Sequence, residues 1–191
     1  MVTKQKRHLA VVKPVFATAL LLLIPLIAMQ FTEEVIWNIA DFVVAGTLLF
    51  GTGFTYQLLT NKSKEITYRV AVGLALLSGF FLIWVNLAVG IIGAENNPFN
   101  TIYFGPIAMG LLGAFVSRFK SRGMSLTMLG MALFVVLIVL GTLFSGMHHV
   151  TGSSVLEIIT INGLFVTLFL ISALLFWHTA RQISDSNQLV R

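Results

Sequence analysis

Asp41 is the side chain in this sequence with the clearest capacity for chemistry, because it stands in the apolar stretch IWNIADFVVAGTLLFGTGFTYQLL. Asn38, Asp41, Ala45, Thr52 and Thr55 or Tyr56 follow one another at helical spacings and share one face of a helix. A carboxylate inside a membrane-spanning helix is costly unless it faces protein or water. Such acids mark ion pathways and proton relays, or they fix packing through interhelical hydrogen bonds. The spacing puts Asp41 about two turns inside the outer boundary, facing the bundle. Asn86 falls at similar depth on the next apolar stretch, so Asp41 and Asn86 are expected to approach each other, with Asn38 and Trp84 nearby. That group would bind or pass a small cation, a proton or a polar solute.

Glu95 and Glu157 lie toward the same expected boundary and would attract cations to the mouth of a pocket. His148 and His149 stand there too, and with the two glutamates they could hold a divalent metal at the outer face. Adjacent histidines lack the four-residue spacing with which a helix presents two imidazoles to one zinc ion, so a solvated loop is the plainer reading. The chain has no cysteine, which removes thiolate chemistry altogether. Ser145, Ser153 and Ser154 lack the G-x-S-x-G turn of a serine nucleophile, and no phosphate-binding glycine loop is present. These absences argue against an enzyme and against a cofactor.

The elements that must position these residues are set by composition. Of the 191 residues, 57% are hydrophobic and only 10% are charged, less than half the roughly 25% of a soluble domain. A soluble enzyme, a disordered chain and a nucleic-acid binder are thereby excluded, despite the net charge of +5. Apolar stretches at about 14–31, 35–60, 68–92, 101–117, 124–147 and 155–180 are each long enough to cross a bilayer as a helix. The expected architecture is an all-α polytopic bundle of six transmembrane helices, forming one domain over residues 1–191.

The twelve lysines and arginines then alternate cleanly. Four precede the first span, three lie between spans two and three, three between spans four and five, and two follow span six. All fall on one side, which the positive-inside rule assigns to the cytoplasm, so both termini are expected there. Five of the seven acids, Glu33, Glu34, Asp41, Glu95 and Glu157, fall toward the opposite side. Ala71, Ala75 and Gly79 form a small-residue seam that would let two helix backbones approach closely.

WNIADF, TYRVAVGLALL and WVNLAVGIIGAENNPFN resemble stretches of small multi-pass bacterial inner-membrane proteins to which no function is assigned. The resemblance spans roughly residues 35–120. It implies a bacterial inner-membrane location and brings no activity, cofactor or site with it. The leading expectation is an outward-facing polar, acidic pocket that binds or translocates a small cation, proton or polar solute. The alternative is a non-catalytic accessory or scaffold subunit, a homodimer or a partner of another membrane protein, docking through the Ala71–Ala75–Gly79 seam. A membrane enzyme acting on lipid or quinone ranks third.

Overall fold

A bilayer interior leaves every backbone N–H and C=O to be satisfied within the chain, and a helix does so locally. The computed structural model describes residues 2–61, 63, 65–146 and 154–189. Among them the chain is 84% helical and has no strand. Six helices follow in order: α1 Val2–Phe31, α2 Ile39–Thr60, α3 Ile66–Ala88, α4 Phe104–Val116, α5 Ser121–Phe144 and α6 Val155–Leu189, with a 3-10 turn at Pro98–Tyr103. Each contributes a segment long and apolar enough to cross a membrane, α4 together with the turn before it. Six such segments fit an integral, multi-pass membrane protein.

Helix ends depart from the apolar stretches for local reasons. The second span starts at Ile39 rather than 35, because Asn38 caps it. The third stops at Ala88 rather than 92, because Gly90 takes a left-handed φ of +81° and its N–H turns back to the Val85 carbonyl. An added Cβ on Gly90 would lie 2.7 Å from the Ala94 backbone, so only glycine suits that exit. The fifth runs from Ser121 to Phe144 and is followed by Gly146 at φ +68°. The last continues beyond 180 to Leu189.

The chain divides into two compact units, Met1–Lys62 and Ser63–Arg191. The first is a hairpin of α1 and α2. Gly53 lies against Pro14, and Gly46 lies under Leu22, where an added Cβ would touch at 3.4 Å in each case. Few side chains in either helix are buried, as befits lipid-facing apolar residues.

In the second unit α5 packs against both α4 and α6, and α3 packs against α6. The α4–α5 contact is made close by glycine. An added Cβ on Gly110 would fall 2.7 Å from Met131 Sδ, and one on Gly113 would fall 2.5 Å from Thr127 Oγ1. Hydroxyls reach across the other contacts: Ser125 Oγ donates to the Ala173 carbonyl at 2.8 Å, and Ser172 Oγ to the Ala71 carbonyl at 3.0 Å. Tyr68 meets the Phe176 ring edge-on, so α3 and α6 run antiparallel.

The tight turn between α4 and α5 holds Arg118 and Phe119 at φ of 51° and 59°. Two consecutive left-handed residues other than glycine are held there by bonds on both sides. The Phe119 N–H donates to the Ala114 carbonyl, and Tyr68 Oη donates to the Phe119 carbonyl at 3.0 Å. Arg69, Arg118, Lys120, Arg122 and Arg181 gather at this end of the unit, while Glu95 and Glu157 lie at the other.

Candidate functional site

The segment from Val89 to Tyr103, here the connector, joins α3 to α4 at the end opposite the basic residues. Its shape depends on Asn100, whose Oδ1 accepts from the Ile91 and Ile92 N–H groups at 3.1 and 2.9 Å. The Asn100 Nδ2 donates to the Ala94 carbonyl at 2.9 Å. Asn97 adds two bonds, Nδ2 to the Ile92 carbonyl at 2.7 Å and Oδ1 from the Phe99 N–H at 3.1 Å. With its backbone groups so satisfied, the connector buries Gly90, Ile91, Ile92, Asn100 and Tyr103.

Below it lie three buried polar side chains. Tyr103, 1% exposed, donates its hydroxyl to Asn162 Oδ1 at 2.8 Å. Asn162, also 1% exposed, donates Nδ2 to the Ile158 carbonyl one turn earlier in α6, again at 2.8 Å. Asn86 is 4% exposed and its Oδ1 is fully buried with no hydrogen-bond partner among the described residues. Asn86 belongs to the stripe Ala71, Ser78, Leu82, Asn86 that α3 buries. From the Ser172–Ala71 contact, fifteen residues along α3 and fifteen back along α6, about 22 Å of helix, bring Asn86 level with Glu157 and Ile158. It therefore stands roughly one to one and a half turns from Asn162 in depth. A buried carboxamide oxygen without a donor loses roughly 1–3 kcal/mol of solvation, so it is the group in this layer with capacity left to bind something.

No known protein family, curated protein or solved structure matches this chain. The geometry of the chain's own residues therefore carries the functional reading.

The other expected site residues divide between the two units. Asp41 is in the first turn of α2, not two turns inside the membrane, and its carboxylate is engaged at the helix start. The Asn38 N–H donates to Asp41 Oδ2 at 2.7 Å, while Asn38 Oδ1 accepts from the Ala40 and Asp41 N–H groups at 2.7 and 3.2 Å. These bonds form a reciprocal capping box. Trp37 and Phe42, flanking the box, pack ring against ring at 5.2 Å and form the hydrophobic staple that accompanies it. Asp41 lies in the first unit and Asn86 in the second.

Glu157 repeats the theme: its N–H donates to Ser154 Oγ at 3.0 Å, which puts the acid in the first turn of α6 and exposed. A carboxylate in a first turn is favoured by the partial positive charge of the helix N-terminus. Two of the five clustered acids thus have a local structural cause. Glu95 is exposed in the connector, and Trp84 stacks on Phe80 with ring centroids 5.7 Å apart.

His148 and His149 lie outside the described residues. Among the described ones, no group of three or more His, Asp or Glu side chains is placed to hold a metal ion. The small-residue seam is used within the chain: Ala71 is fully buried and its carbonyl is held by Ser172, while Gly79 faces Ile107. Tyr103, although close to an apolar boundary in the sequence, is buried. Asn100 and Asn162 have no motif around them that separates them from any other asparagine, and only their burial reveals their roles.

Proposed function

We propose that this protein binds, and passes, a small polar solute or cation through the layer formed by Asn86, Tyr103 and Asn162 beneath the connector. The unpaired, buried Oδ1 of Asn86 is the observation that carries this reading, since buried polar atoms are otherwise almost always hydrogen-bonded. The placement of all basic residues by the positive-inside rule supports an orientation with both termini in the cytoplasm and the connector facing outward. The protein is then a multi-pass protein of a bacterial inner membrane. Glu95 and Glu157 sit at the mouth, and the centre of the site moves from Asp41 to Asn86 because the Asp41 carboxylate is engaged in the capping box.

Native mass spectrometry of the detergent-purified protein tests this, with wild type beside Asn86→Leu and Asp41→Asn. A small adduct present in wild type and lost only in Asn86→Leu is the expected result. An adduct lost only in Asp41→Asn returns the site to α2, and spectra identical in all three remove the binding role.

A second reading, an accessory subunit of a membrane complex, draws support from α2. That helix carries Thr52, Thr55, Tyr56 and Gln57 within its apolar span, and such groups commonly bond to a neighbouring helix. Co-purification of another membrane protein with wild type, lost in Gln57→Leu, would favour it.

A further inference from the structure

We infer that the Asn86 site takes a small neutral molecule bearing a hydroxyl or N–H group, in preference to a metal ion or an ammonium. This inference rests on the binding role proposed for Asn86 and concerns the chemical class it serves.

The composition of the layer carries the argument. Every buried polar side chain among the described residues of the second unit is uncharged: Tyr68, Ser78, Asn86, Asn100, Tyr103, Ser121, Ser125, Thr127, Thr142, Asn162, Ser172 and Thr179. Glu95 and Glu157 stay exposed, so neither lends its charge to the interior. A cation moved beneath the connector would exchange its hydration shell for amide and phenol oxygens with no carboxylate to neutralise it, the arrangement that desolvation penalises most. A neutral donor avoids that penalty.

The free valences match such a donor. Asn86 Oδ1 has no partner among the described residues, and Tyr103 Oη, having given its proton to Asn162, keeps lone pairs that accept. Asn100 consumes the nearby Ile91 and Ile92 N–H groups, so those donors are withdrawn from any acceptor or anion. Ile91, Ile92 and Asn100 are themselves buried in the connector, so these residues shield rather than open the layer.

The test is thermal unfolding of the full-length, detergent-purified protein, wild type beside Asn86→Leu and Asn86→Ala. Graded acetamide and ethylene glycol serve as neutral donors, with sodium chloride and methylammonium chloride at matched ionic strength. Binding to the folded state raises the melting midpoint with concentration. The expected result is a rise with the neutral probes that either Asn86 substitution blunts, equivalent to about tenfold weaker binding for one lost hydrogen bond. An Asn86-dependent rise with sodium or methylammonium alone overturns the neutral class and leaves the site in place. The absence of any Asn86-dependent rise overturns both.

Discussion

Replacing Asn86 with leucine should make the protein more stable, and the sign of that change separates a binding group from a packing group. In the folded chain the Asn86 oxygen is buried without a donor, whereas unfolding in detergent exposes it to water. Its desolvation is worth roughly 1–3 kcal/mol. Leucine keeps the branched outline of asparagine and carries no polar atom, so it removes the penalty beside the buried Leu82 at the cost of a somewhat larger side chain. A change of 1 kcal/mol moves the midpoint of a chain of 150–250 residues by about 2–4 °C. The expected rise is therefore between about 2 and 12 °C, followed by circular dichroism of the helices.

Asn162→Leu provides the control, because it deprives the buried Tyr103 hydroxyl of its acceptor and should lower the midpoint by a comparable amount. The two asparagines sit roughly one to one and a half turns apart in depth, so a general intolerance of leucine in this part of the unit would move both variants the same way. A fall in the midpoint for Asn86→Leu, with both proteins first freed of any co-purified small molecule, would refute the reasoning, since it would mean that this oxygen is satisfied within the native chain and that its role is structural.

Other outcomes follow from the same structure. Asn38→Ala should cost about 0.5–2 kcal/mol in thermal unfolding by opening the α2 capping box, whereas Asn38→Ser should retain most of that stability. Gly113→Ala brings a methyl group to 2.5 Å from Thr127 Oγ1 and should destabilise the α4–α5 pair. The loss should be about 1–3 kcal/mol, and Thr127→Ala in the same chain should restore part of it. Because the protein has no cysteine, Glu95→Cys and Lys120→Cys each create a single thiol. A membrane-impermeant maleimide should label the first in intact cells and the second only after permeabilisation, and the opposite pattern would invert the orientation.

The six helices are legible in the sequence because each apolar stretch exceeds the length that any soluble element needs, and short charged separators leave no room for another partition. Their ends are less so. The start of α2 was present as Asn38-x-x-Asp41 preceding an apolar run, a helix-start pattern, yet the same residues also satisfy the spacing of an intramembrane polar face. Only the bonds between them distinguish a cap from a pore. Asn86 was legible as a polar residue on the α3 stripe. Its unpaired state was not, because that depends on α6 meeting α3 in the register fixed by Ser172 and Ala71, residues 101 positions apart. Tyr103 stands near an apolar boundary in the sequence, where an aromatic ring ordinarily anchors at the interface. The Pro98–Tyr103 turn brings it inward, a path that hydropathy does not encode.

The connector has one further property. A single carboxamide, that of Asn100, holds the amides of Ile91 and Ile92 and the carbonyl of Ala94, so these three anchorages share one fastener. Turning that one side chain frees all three together, while Asn97 keeps its separate hold on the Ile92 carbonyl. Hydrogen exchange at Ile91 and Ile92 should accordingly follow one common rate, and that rate is how often the layer beneath is opened.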